Sequence, residues 1–168
     1  NINSGAVDSA KTLIGQRTVL LGASTHEGEE DVLLNIFNDL LFLFPNLLLI
    51  LAPRHMNRIS RVNSMALKYG FKTELFSKID SLSPDKNILI IDEMGLLPSI
   101  YCCSHLAFVG GSLVPLGGHN MLEGVRAGCP IIMGPFIENI EDIVRDFEEN
   151  GGMSIVKDFS ELKNEIKR

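Results

Sequence analysis

Residues 106–123 read LAFVGGSLVPLGGHNMLE, and the fold turns on how that stretch is parsed. Four apolar residues run without alternation into Gly110-Gly111, and a second glycine pair, Gly117-Gly118, precedes His119 and Asn120. An unbroken apolar run suits a strand buried on both faces, as in a parallel sheet, whereas a strand with one wet face alternates. The same grammar recurs on both sides. Residues 18–22 (TVLLG), 47–52 (LLLILA), 88–91 (ILII) and 130–133 (PIIM) are short apolar runs that stop at glycine, proline or aspartate. Residues 72–76 and 154–156 are weaker strand candidates.

Helical periodicity fills the gaps. Residues 29–43 place Val32, Ile36, Leu40 and Leu43 on one stripe; residues 58–69 do so with Ile59, Val62, Ala66 and Tyr69, with Gly70 as a stop. Shorter helices are expected over 96–103 and 120–127. Residues 139–149 are expected to turn Ile140, Ile143, Val144 and Phe147 inward, and residues 160–167 to open on a Ser160 cap. Strands alternating with helices predict an α/β, doubly wound, Rossmann-like parallel sheet over residues 18–168. Residues 1–17 read as a linker or a first helix.

Composition narrows the function classes. A net charge of −6 lacks the basic stripe that a nucleic-acid footprint needs, and does not favour docking on anionic lipid. Three cysteines, two of them adjacent, offer neither a disulfide framework nor zinc spacing and suit a reducing compartment. The polar opening residues lack a secretory leader pattern. The most apolar stretch, 40–52, is broken by Pro45-Asn46 and falls short of the ~20 residues of a span. It is expected to be the end of a helix and then a strand.

Ligands of open parallel sheets bind beyond the carboxyl ends of the strands, where strand order reverses. Polar and glycine residues collect at those ends: Ser24 to Glu29, Pro53-Arg54-His55, Asp92 to Gly95, and the two glycine pairs with Ser112, His119 and Asn120. Glycines let backbone amides approach an anion, and Asn120 could cap a helix whose first-turn amides favour phosphate. Glu123, one turn on, could accept two ribose hydroxyls. The alternative is a capped helix with an acidic first turn and no ligand. Neither GxGxxG nor GxxxxGK[ST] is present, so dinucleotide-redox and P-loop chemistry lose support.

Four segments, ASTHEGEE (23–30), LLLILAPRH (47–55), VGGSLVPLGGHNMLE (109–123) and GCPIIMGP (128–135), resemble the C-terminal domain of the 3-deoxy-D-manno-octulosonic acid (Kdo) transferases. The resemblance covers residues 18–156. It implies half of a GT-B architecture, in which two Rossmann-like domains face each other across a cleft. It also implies transfer of Kdo from a CMP-Kdo donor to a lipid A precursor in lipopolysaccharide synthesis, without metal or other cofactor. By resemblance the CMP contacts fall on Pro53, Arg54, Met94, Gly95, Leu96, Asn120, Met121, Leu122 and Glu123. Arg54 suits a phosphate or the sugar carboxylate, and Pro53 and Met94 suit the base. The family often has proline where Met121 stands. Its catalytic base is a glutamate of the N-terminal domain, so no catalytic residue is expected in this sequence, which reads as the donor-binding half. Acceptor binding and attachment to the cytoplasmic face of the inner membrane would belong to the other half.

Ser24, His26, Ser112, Gly118 and His119 are further candidate contacts. His26, Glu27 and Glu29 are too close in sequence to define a metal geometry, and Glu27 or Glu29 could simply open a helix. His119 could fix a loop, and His105 a strand. Ser112 lacks a GxSxG elbow, which excludes a hydrolase nucleophile. Asp92 is expected to cap the short helix near Gly95, and Met65 and Met153 to fill core. Another GT-B half handling UDP-sugars, or a non-catalytic nucleotide-binding module, are the competing readings.

Overall fold

A computed structural model describes residues 2–168; residue 1, part of the expected linker or helix, lies outside them. Seven parallel strands form one sheet in the order β3-β4-β2-β1-β5-β6-β7. They are β1 (Thr18–Thr25), β2 (Leu47–Pro53), β3 (Thr73–Leu75), β4 (Ile88–Ile90), β5 (Leu106–Val109), β6 (Ile131–Met133) and β7 (Met153–Ile155). The helices are α1 (Ser4–Ile14), α2 (Glu29–Leu43), α3 (Ile59–Lys68), α4 (Leu97–Tyr101), α5 (Leu122–Arg126), α6 (Glu141–Glu149) and α7 (Phe159–Lys167). This is the doubly wound α/β arrangement expected from the alternation of patterns.

Two apolar layers explain why the strands read as continuous runs. Successive residues of β1 and β2 go to opposite faces. Val19, Leu21, Leu48 and Ile50 join α1, α4 and α6 on one side. Leu20, Leu49 and Leu51 join α2, α3 and α7 on the other. Every residue of β2 is buried. At ~1.5–3 kcal/mol for each fully buried leucine or isoleucine, this central strand carries a large share of the driving force.

Several local expectations are corrected. Of the two readings of residues 1–17, linker or first helix, the described part takes the second: Asn3 caps α1 by accepting from Gly5 and Ala6 N–H at 3.0 and 3.2 Å. The helix buries Val7, Ala10 and Ile14 against the sheet. On α2 the buried stripe is Leu33, Leu34, Ile36, Phe37 and Leu40, while Leu43 is exposed because the helix ends beyond the sheet. Ile143 of α6 is likewise exposed, and Val144 alone of that helix is fully buried. Helix α7 opens on Asp158, whose carboxylate accepts the Glu161 N–H at 2.9 Å, not on Ser160. Asp92 does not cap α4. It accepts from the Ser77 N–H at 2.9 Å and from the Ser77 hydroxyl, tying the ends of β3 and β4 together. His105 is structural, its Nδ1 accepting the Val19 N–H at 3.0 Å.

Candidate functional site

Strand order reverses at β1, which has β2 on one side and β5 on the other. The carboxyl end of β1 is therefore where a crevice should open. Its last residues are irregular: the β1–β2 register slips between Ala23 and Thr25, leaving Ser24 as an extra residue with φ 53°. That is a β-bulge with its odd residue left-handed. The neighbouring strands hold it in place. Gly110 N–H donates to the Ala23 carbonyl at 2.8 Å, and Arg54 N–H donates to the Thr25 carbonyl at 2.9 Å.

Beside the bulge lies an open cavity of about 310 Å³. Ser24, Pro53 and Arg54 form one wall, Met94, Gly95 and Leu96 another, and Glu123 closes the end. These seven candidates come from four separate chain segments and meet on one concavity. Met94 is 75% exposed over it, an apolar surface with no protein partner to cover it. Ala52, Ile91 and Pro98 complete the floor and rim, and Met56, Glu93 and Leu97 also line it. Sequence reading placed Glu93 at this edge within Asp92 to Gly95 but missed the other five, since apolar residues such as Ala52 and Ile91 look the same whether they line a cavity or a core.

The remaining candidates divide. Asn120 Oδ1 accepts the Leu122 N–H at 2.8 Å just ahead of α5, whose cap position is Met121. Met121 is fully buried and packs into the core, so its side chain is unavailable to a ligand. Leu122 is half-buried against the same core. Ser112 is also fully buried. Its hydroxyl donates to the Val109 carbonyl at 2.6 Å and accepts the Gly134 N–H at 2.9 Å, a clip between β5 and β6 that burial closes to a ligand. Gly118 N–H is spent on the Gly111 carbonyl, and His119 N–H on the Gly110 carbonyl.

The first glycine pair is not an open anion site, because the chain supplies the anion. Glu29 is fully buried at the start of α2. Its carboxylate accepts the N–H groups of Gly111 (2.8 Å), Ser112 (3.3 Å), Leu113 (3.1 Å) and His26 (3.0 Å). Burial raises this carboxyl above the ordinary glutamate value, against the downward pull of the four amides. Surroundings made only of donors fit the ionised form. Reading Glu29 as a helix-opening acid was right about its position but missed this partner, which lies 82 residues away at Gly111.

His26 and His119, drawn from different loops, stack with ring centroids 4.8 Å apart and join Nε2 to Nε2 by a hydrogen bond. Gly111, at φ +69°, makes room for the second ring: a Cβ there would sit 2.8 Å from His119 Cδ2. His55 meets His26 edge-on at 5.4 Å. Burial, then His119, His55, Arg58 and Arg54, hold His26 down at about 4; burial, Arg54 and His55 lower His119. Both rings are neutral at pH 7. A histidine so depressed contributes stability above its ordinary value of ~6.5 that is lost as pH falls through about 4. Urea midpoints are therefore expected to fall between pH 6.5 and 4, and His26→Gln to flatten that fall. Equal slopes for the two proteins would remove His26 as a cause.

Among the described residues no group of three histidine, cysteine or carboxylate side chains could hold a metal ion. No helix there is long and apolar enough to cross a membrane.

No protein-family model matches the chain. It is 38% identical over 148 residues to the 3-deoxy-D-manno-octulosonic acid transferase of Haemophilus influenzae, covering 88% of this chain and 35% of that protein. It is 31% identical over 147 residues to the enzyme of the same name from Aquifex aeolicus, covering 88% of this chain and 40% of that protein. The chain thus spans well under half the length of these relatives. Among solved structures it is similar to the C-terminal CMP-Kdo binding domain of WaaA from Acinetobacter baumannii, with a TM-score of 0.89 and 30% identity over 96% of this chain and 87% of that one.

Proposed function

We propose that this chain, which belongs to the 3-deoxy-D-manno-octulosonic acid transferase family, binds the CMP-Kdo donor at the carboxyl edge of its sheet. The observation that carries the reading is the meeting of Pro53-Arg54, Met94-Gly95-Leu96 and Glu123 on one cavity. The chemistry of the walls fits the parts of the donor. Pro53, Met94 and Leu96 offer apolar surface for a pyrimidine. Glu123 offers a carboxylate for two ribose hydroxyls. Arg54 offers a fork for the phosphate or the sugar carboxylate. Asn120 and the backbone of Met121 and Leu122 frame the start of α5 next to Glu123. We place His26 and His119 at the rim, and leave Ser112 and the Met121 side chain out of the site because both are buried.

In the full protein we propose that a second domain brings the lipid A precursor at the cytoplasmic face of the inner membrane, together with the general base that removes the proton of the attacking hydroxyl. Direct displacement at the anomeric carbon then inverts it, and CMP departs with its phosphate held by Arg54 and nearby amides. No step of this scheme calls for a metal. By itself this chain would bind cytidine nucleotides and turn over nothing.

Titrating CMP into the chain and following backbone amide resonances tests the reading. Shifts are expected at Arg54, Met94, Gly95, Asn120 and Glu123. No perturbation there at millimolar CMP would overturn it, and tighter binding of UMP would favour a UDP-sugar enzyme. Arg54→Ala is expected to weaken CMP by about 10- to 100-fold, the worth of a charge-assisted hydrogen bond at ~1.5–3 kcal/mol, while leaving cytidine nearly unaffected. Equal losses for CMP and cytidine would place the arginine away from the phosphate.

A further inference from the structure

Next to the cavity stand more basic side chains than a nucleoside monophosphate uses. Arg54 lines the cavity, and His55 follows it in the chain. Behind them Arg58 is paired through Nη1 with Oε1 of the buried Glu30, and Arg58 Nη2 and Glu30 Oε2 are both buried without a hydrogen-bond partner. His26 and His119 stand against this group as a hydrogen-bonded pair, with His55 edge-on. The three acids that follow β1 are already committed. Glu29 is turned into the Gly111–Leu113 amides, Glu30 faces Arg58, and Glu27 pairs with Arg61 in solvent. Two guanidinium groups, one of them paired with Glu30, and three imidazoles therefore converge in a chain whose net charge is −6, while the acids Glu93 and Glu123 line the same cavity as Arg54.

Proton placement in the pair is constrained. One Nε2 donates to the other, and neither Nδ1 has a protein partner among the described residues. In the neutral pair the accepting ring must carry its proton on Nδ1, and the donating ring has a bare Nδ1. One more proton, taken from solvent, goes to that bare nitrogen. The pair then carries one positive charge and two N–H donors that are not spent on each other. Burial and the two arginines oppose that charge in the free protein; an anion placed among them removes the opposition.

We infer that His26 and His119, with Arg54 and Arg58 beside them, form a proton-accepting subsite for an anionic group of the substrates, a carboxylate or a phosphate, and take up one proton as that group docks. The inference rests on the donor-binding reading for its location but not for its test. A histidine pair that merely pinned the loop to β1 would keep the same titration whether or not an anion were present.

The measurement is the titration of the imidazole nitrogens of His26 and His119 by NMR, with four probes: inorganic phosphate, free Kdo, cytidine and CMP. Phosphate or Kdo at saturation is expected to raise the midpoint of the pair by at least one pH unit, a tenfold gain in proton affinity. Cytidine, which has no charge, is expected to leave it unchanged. A rise with Kdo alone assigns the subsite to the sugar carboxylate; a rise with phosphate alone assigns it to a phosphate. His119→Gln is expected to abolish the rise, and His26→Gln repeats the test should that variant not fold. If CMP shifts the Asn120 and Glu123 amides while no anion moves the imidazoles, the inference is overturned and the donor reading stands. If CMP shifts no amide yet phosphate or Kdo raises the midpoint, the subsite stands and the donor reading falls.

Discussion

Glu29→Gln is expected to lower the stability of the chain by about 3 kcal/mol, a loss of about 6–12 °C in Tm for a domain of this size. The glutamate is fully buried and receives four backbone N–H groups, three from the loop after β5 and one from the turn after β1. Glutamine keeps the shape but turns an NH₂ toward N–H donors, so amides that cannot reach water lose their acceptor. Glu29→Ala removes every acceptor and is expected to cost more still. The effect should extend to the site. Gly111 seats the His119 ring, and His26 N–H is one of the four donors, so loosening Glu29 releases both members of the histidine pair. In the Glu29→Gln protein that remains folded, the His26 and His119 titrations are expected to return toward the ordinary histidine value. A Tm within 2 °C of the parent would mean that water satisfies the loop amides and that Glu29 is not their anchor.

This residue also marks the limit of what the sequence discloses. The strands were legible because burial on both faces leaves a local signature: residues 47–52 and 88–91 have nowhere to put a polar side chain. The edge of the sheet was legible because a parallel sheet puts its strand ends on one side. Pro53, Met94 and Glu123 could therefore be expected near one another before any distance was known. Pairings across the sheet leave no such signature. Glu29 looks like any acid in a first helical turn, and only the fold brings it to Gly111. Ser112 and Met121 sit in a glycine-rich segment that reads as ligand-facing throughout, yet both are fully buried and only Glu123 of that segment lines the cavity. The stripe of α2 was misjudged by one helical edge because Leu43 lies past the sheet that would bury it. Helix ends depended on single capping atoms, Asp158 in place of Ser160, which composition does not rank.

Gly110→Ala is expected to be as damaging as the loss of Glu29, for a steric reason. A Cβ at residue 110 would overlap the Ser24 carbonyl oxygen and lie 2.8 Å from the Ser24 carbonyl carbon and from Thr25 Cα. All three atoms are backbone, so no rotamer change relieves the clash. The bulge at Ser24 must move away from β5, giving up the 2.8 Å hydrogen bond from Gly110 to Ala23 and straining the one from Arg54 to Thr25. A cost of about 3 kcal/mol or more follows, at the upper end of what overpacking does. Gly128→Ala is the control. Its φ is +72° and nothing lies within 4 Å of a Cβ there, so it reports left-handed strain alone, about 1–2 kcal/mol. Urea unfolding of the two variants separates the effects, with the larger drop in midpoint expected for Gly110→Ala. CMP binding separates them further. Ser24 and Arg54 both line the cavity, so displacement of the bulge is expected to weaken CMP by about tenfold even where the Gly110→Ala protein is fully folded. Gly128, on the far side of α5, should leave affinity unchanged. Equal midpoints and equal affinities for the two variants would mean that β1 and β5 do not approach as closely at Gly110 as the donor site requires.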